Sequence, residues 1–141
     1  MNGSPEQVQG LINDLQSYSK VPLLVAANCD SGGDGAVKGG TYISSGAQSE
    51  ASRDSRIPYL AGLVSAREET ALGVNVNFDP CVDIVQNWRN TIVNTRAHGT
   101  NADDVIAYTS AYLEGLTAER DVIQCIKHFP GDGTAPSSRC Q

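Results

Sequence analysis

Apolar positions along the chain alternate between two periods. Val8, Leu11, Ile12 and Leu15 recur at helical spacing. Ahead of them Ser4-Pro5-Glu6-Gln7 supplies an N-cap, a proline in the first turn and an acidic start, and Tyr18-Ser19-Lys20 closes the predicted helix. Val21 to Ala27 is a nearly uninterrupted apolar run with the length of a buried strand, and it breaks into a Gly-rich loop from Asn28 to Gly35. Residues 36–48 show no period and read as loop. A helical pattern then runs from about Glu50 to Leu72, with Leu60, Leu63, Val64 and Ala71 on the apolar stripe. Pro58 disturbs the start of that helix and Gly73 stops it.

Val74 to Asp79 alternates at period two and ends at Pro80. It predicts a strand with Val74, Val76 and Phe78 toward covering helices and Asn75, Asn77 and Asp79 on the opposite face. An irregular stretch follows to about Gly99. Asn101-Ala102-Asp103-Asp104 starts a further helix, continued by Val105, Ile106, Thr109, Tyr112, Leu113 and Leu116. The last apolar run, Val122 to Ile126, predicts a buried strand ending in Lys127-His128-Phe129-Pro130-Gly131.

Helix and strand thus alternate through the whole chain, which predicts parallel βαβ units in one α/β domain spanning residues 1–141. Ligands of parallel α/β folds bind at the C-terminal ends of the strands. Asn28-Cys29-Asp30, Asp79-Pro80 and Lys127-His128 are therefore expected to converge in space. A lysine and a histidine side by side at one strand end offer donors in two directions, suited to a hydroxyl-rich ligand.

Composition narrows the chemistry. The formal net charge is −6, with no cluster of Lys and Arg, which speaks against nucleic acid as a partner. No apolar stretch approaches the roughly 20 residues of a membrane span. The N-terminus lacks the basic and apolar regions of a signal peptide, so a cytoplasmic location is expected. Cys29, Cys81, Cys125 and Cys140 form no CxxC pair and read as free, buried thiols of a reducing compartment, so no metal site is expected. Gly32-Gly33-Asp34-Gly35 is not a dinucleotide fingerprint, and Lys38 is not part of a phosphate-binding P-loop. Neither His98 nor His128 is accompanied by a nucleophile elbow.

Lys127-His128-Phe129-Pro130-Gly131-Asp132-Gly133 resembles the KHFPGxG signature of glycoside hydrolase family 3, in its β-N-acetylhexosaminidase branch. Gly73 to Ile84 is similar to that family's GxNxNFxPxxDI strand. Asn94-Thr95-Arg96-Ala97-His98-Gly99 is similar to its Arg-containing segment, and Pro22 to Gly33 to its early strand and Gly-Gly turn. The resemblance covers about residues 5–133. It implies a TIM-type (β/α)8 barrel, of which this chain carries about three parallel strands with their helices. It also implies a glycosidase that hydrolyses terminal β-linked N-acetylhexosamine with retention, through a covalent glycosyl-enzyme and without a cofactor.

Carried over by motif, Arg96, Lys127 and His128 would hydrogen-bond sugar hydroxyls, and Asn28 or Asp30 would stand in for the family's substrate-binding carboxylate. Three departures stand out. The early turn reads Asn28-Cys29-Asp30-Ser31 where DxEGG is usual, and His98 replaces an aromatic residue. Thr134 to Gln141 contains no histidine where the family carries an Asp/Ser-x-His acid/base loop. The nucleophilic Asp of the family lies on a later strand. No catalytic residue is therefore assigned within this chain, and a TIM barrel needs about 250 residues. A truncated product, inactive by itself, is the expectation. A β-glucosidase of the same family and a non-catalytic sugar-binding remnant are the alternatives.

Overall fold

The computed structural model describes residues 3–119 and 122–134. Helix α1 (Pro5–Tyr18) begins with a reciprocal cap: the Ser4 hydroxyl accepts from the Gln7 amide, and the Gln7 side chain accepts from the Ser4 amide at 2.9 Å. Its buried stripe is narrower than the spacing predicts, with Val8 and Ile12 inside and Leu11 and Leu15 half exposed.

The first strand, β1 (Ala26–Ala27), is only the end of the expected run. Val21 and Leu24 are each 72% exposed, because β1 is an edge of the sheet. Side-chain amides replace ladder bonds along this approach. Gln16 accepts from the Leu23 amide at 2.9 Å and donates to its carbonyl at 3.0 Å, and Asn75 accepts from the Val25 amide at 2.8 Å.

The helix expected over about 50–72 is two helices, α2 (Gly46–Ser52) and α3 (Arg56–Leu72). The break falls at Arg53, whose φ of 54° ends α2 in the left-handed region. Pro58 then lies buried in the first turn of α3, where its missing N–H costs no helical bond. Gly73 closes α3 with φ 89° as expected. Leu60, placed on the apolar stripe, is exposed. The buried face of α3 is instead Ala61, Gly62, Ser65, Ala66, Glu69 and Leu72.

Strand β2 (Val76–Asn77), helix α4 (Ala102–Thr117, capped by the Asn101 side chain) and strand β3 (Ile123–Gln124) complete the fold. The sheet order is β1-β2-β3 and all pairings are parallel, with Ala27 opposite Asn77 and Asn77 opposite Gln124. Sequential strands in sequential order, with helices on one side, form an arc of a (β/α) barrel. A single bridge, Cys81 to Lys127, extends the β2–β3 pairing toward the C-terminal ends.

One core lies between α1 and the sheet (Val8, Ile12, Ala27, Leu72, Val74), another between α3 and α4 (Ala61, Ala66, Tyr112, Leu116). The two helices cross at glycines. A Cβ on Gly62 would sit 2.1 Å from the Tyr112 carbonyl oxygen, and one on Gly115 1.9 Å from that of Tyr59.

Three further expectations are corrected. Phe78 does not face the helices: it is 43% exposed, while Asn77 and Asp79 are buried. Asn77 donates to Glu69 of α3 at 2.8 Å, so a polar partner on the helix draws the polar face inward. Ile123 and Ile126 are half exposed because β3 is the other sheet edge. Cys29 and Cys81 are buried free thiols, but Cys125 is exposed; Cys140 lies outside the described residues.

Candidate functional site

The C-terminal ends of the three strands converge as the parallel topology predicts. Lys127, just beyond β3, reaches across the end of β2 to the loop after β1. Its ammonium lies 2.8 Å from Asp30 Oδ1 and donates to Asn28 Oδ1 and to the Phe78 carbonyl. Arg96, on a short 3-10 turn (Asn94–Arg96), closes the cluster from the side, with Nη2 3.1 Å from Asp30 Oδ2 and Nη1 3.1 Å from the Ile92 carbonyl. Burial alone would raise the Asp30 carboxyl. A hydrogen bond with Asp79 and the Lys127 and Arg96 charges outweigh burial and hold it below the usual carboxylate range.

His128 is oriented by a residue that inspection of the sequence did not single out. Asp83 Oδ2 lies 2.6 Å from His128 Nδ1 and accepts from the His128 amide at 3.1 Å and the Cys81 thiol at 3.2 Å. Its Oδ1 accepts from the Asp132 amide at 2.5 Å. Burial works against ionisation of Asp83, but these donors together keep its carboxyl below the ordinary value. With Nδ1 committed to Asp83, Nε2 is the ring nitrogen left for a ligand. Asp83 belongs to the Asp-Ile pair of the β2 motif, which was the available signal.

The loop carrying Arg96 is anchored to the turn after His128. Asn90, buried, donates to the Asp132 carbonyl and accepts from the amides of Ile92 and Val93 at 3.0 and 2.9 Å. Lys127, His128 and Arg96 are thus placed relative to one another by backbone-level ties. An open cleft of about 370 Å³ is lined by Asn28, Phe78, Arg96, Cys125, Lys127 and His128. All five residues expected to bind substrate fall in this cluster, four of them on the cleft and Asp30 beneath it as the shared anion.

Behind the cluster lies a buried polar layer. Asp79 is buried and its carboxyl is raised well above normal by burial and by the neighbouring Asp30. Glu69 is fully buried and pushed up to about 7 by burial, with the Cys29 thiol partly opposing that shift. His98, in the place of an aromatic, packs as one: its ring centroid is 6.3 Å from that of Tyr112, and burial lowers it to about 4.

The ligand atoms of Cys81, Asp83 and His128 lie within 4.8 Å of one another, near enough for a metal. Asp83 already accepts four hydrogen bonds there, and burial pushes the Cys81 thiol up to about 12. The arrangement is that of an oriented histidine. The segment expected to differ from the family's acid/base loop, beyond Thr134, lies outside the described residues.

The geometry has counterparts among known proteins. The model of the glycosyl hydrolase family 3 N terminal domain matches residues 3–139. A β-N-acetylglucosaminidase/β-glucosidase of Cellulomonas fimi is 39% identical over 122 residues, covering 86% of this chain and 22% of that protein. Among solved structures, the β-glucoside phosphorylase BglX superposes with a TM-score of 0.89 at 36% identity, covering 94% of this chain and 24% of that one. A family 3 β-N-acetylglucosaminidase from Paenibacillus sp. str. FPU-7 superposes at 0.85 with 30% identity, covering 93% and 26%. The chain spans about a quarter of the length of these relatives. The strand-end lysine and histidine, the arginine beside them and the parallel arc that carries them have one common explanation: the chain belongs to glycosyl hydrolase family 3, within its N-terminal domain.

Proposed function

We propose that the cleft at the strand ends is the sugar subsite of a retaining glycosidase acting on terminal β-linked N-acetylhexosamine. Arg96, Lys127, His128 and Asn28 present donors and acceptors to the ring hydroxyls, and Asp30 holds the two cations in place from below. Their task is orientation: charge-assisted bonds fix the ring before bond cleavage. Nucleophile and acid/base come from outside residues 1–141 in this reading, and the same residues form one partial barrel domain. The observation that carries it is Lys127, which joins all three strand ends at the rim of a polar cleft. No cofactor enters, and the partner is a carbohydrate.

The test is to follow release of a chromophore from aryl N-acetyl-β-glucosaminide and aryl β-glucoside by the natural full-length protein. Preference for the N-acetylated substrate supports the reading. Equal or greater turnover of the glucoside favours the β-glucosidase alternative. No turnover, with N-acetylglucosamine still bound, favours the non-catalytic alternative.

A second reading concerns the acceptor. The 36% identity to a β-glucoside phosphorylase makes inorganic phosphate a candidate in place of water for releasing the sugar. Appearance of a sugar 1-phosphate only when phosphate is added distinguishes phosphorolysis from hydrolysis.

A further inference from the structure

Phe78 follows directly on β2, and the sheet register sets what stands beside it. Ala27, Asn77 and Gln124 are partners across the three strands. The next positions, Asn28, Phe78 and Cys125, therefore form one row. Side chains along a strand alternate between the two faces. Asn77 and Asp79, on either side of Phe78, are buried, and Asn77 reaches Glu69 of α3. Phe78 thus points away from the helices. Both of its backbone groups are engaged, the amide on the Ala27 carbonyl at 2.9 Å and the carbonyl by the Lys127 ammonium. The exposed 43% of the residue is therefore mostly ring. It lines the cleft with Asn28 and Cys125 of its own row and with Arg96, Lys127 and His128. The middle strand puts an apolar surface at the centre, and its neighbours put polar groups around it.

We propose that Phe78 is the platform of the sugar subsite, on which a C–H face of the pyranose lies while its hydroxyl edge meets the polar residues. A pyranose needs both kinds of contact. Its equatorial hydroxyls project around the edge, and its axial C–H bonds leave the ring faces apolar. The face of a phenyl ring carries partial negative charge and attracts such C–H bonds, and closing the two apolar surfaces together also removes them from water. The level of the ring fits this role. One ammonium, that of Lys127, is bonded both to the Phe78 carbonyl and to the Asn28 side chain. Phe78 is thereby tied at the height of the polar rim, one step beyond the last paired residues of β1 and β2.

This inference rests on the sugar-subsite reading, and proton NMR of N-acetylglucosamine with the natural full-length protein separates the two. The carbon-bound ring protons of the sugar move upfield on binding, as protons over an aromatic face do. Phe78→Leu keeps an apolar side chain and removes the aromatic ring: the upfield shift disappears and binding weakens about tenfold in calorimetry. Phe78→Tyr keeps the ring and with it both the shift and most of the affinity, which also separates Phe78 from the imidazole of His128. Bound sugar without the upfield shift overturns the platform and leaves the subsite reading standing. So does Phe78→Leu that binds as tightly as the unsubstituted protein, because the ring then only fills the inward face of the barrel. Absence of any binding by the unsubstituted protein overturns both. Should neither variant fold, the shift on the unsubstituted protein decides alone.

Discussion

Lys127 Nζ lies 2.8 Å from Asp30 Oδ1, so the two edge strands of the sheet, which do not touch each other, are joined by one ion pair that crosses the end of the middle strand. Both side chains are largely shielded, at 13% and 20% exposure. Lys127→Met keeps the stem and deletes the charge, leaving Asp30 with Arg96 alone. Breaking a shielded pair from one side costs about 3 kcal/mol, and urea melts of the variant are expected to show a loss of that order. Affinity for N-acetylglucosamine is expected to fall more than tenfold.

Asp83 makes a second prediction, in acid. Its folded carboxyl sits below the unfolded value, so it stabilises the fold above the unfolded value, near pH 4, and that contribution is lost as pH falls through the folded one. Asp83→Asn should lower stability at pH 7 by about 2 kcal/mol and flatten the decline below pH 4 in pH-dependent melts. It should also weaken sugar binding, because His128 loses the acceptor that fixes its ring.

Glu69 predicts the opposite limb. Its carboxyl is raised from 4.5 to about 7, so folding favours the protonated form and stability drains away as pH climbs between those values. Glu69→Gln keeps an acceptor for Asn77 and removes the titration. The variant should gain on the unsubstituted protein from pH 5 to 8, by an amount on the order of 3 kcal/mol at the top of the range. Parallel pH–stability curves for the two proteins would refute this role.

The crossing of α3 and α4 gives a packing prediction. Gly115→Ala places a methyl 1.9 Å from the Tyr59 carbonyl oxygen, a backbone atom that moves only with the helix. The helices must separate, at a cost of about 2 kcal/mol or more, visible as a lowered Tm. Gly10→Ala, in open space on α1, is the control and should not destabilise.

What the sequence revealed divides along physical lines. Helix ends were legible because caps are local: Ser4 with Gln7, Asn101 with Asp104, and Gly73 each act within a few residues. The convergence of Asn28, Asp30, Lys127 and His128 followed from parallel topology alone, whereas the strand order β1-β2-β3 did not. The facing of β2 did not, because it depends on Glu69, a buried carboxylate on another element that gives Asn77 a partner. The role of Asp83 was hidden for the same reason. Its partner His128 lies across the sheet, and polar residues beside a strand look alike until their partners are placed. The break at Arg53 needed a left-handed residue that nothing in its side chain announces.

Sugar binding at this cluster can be observed directly. The direct measurement is an amide and side-chain NMR titration of the full chain with N-acetylglucosamine. Saturable shifts are expected at Asn28, Arg96, Lys127 and His128, abolished by Lys127→Met. Saturable shifts elsewhere with these four residues silent, or no shifts at millimolar sugar, would contradict it.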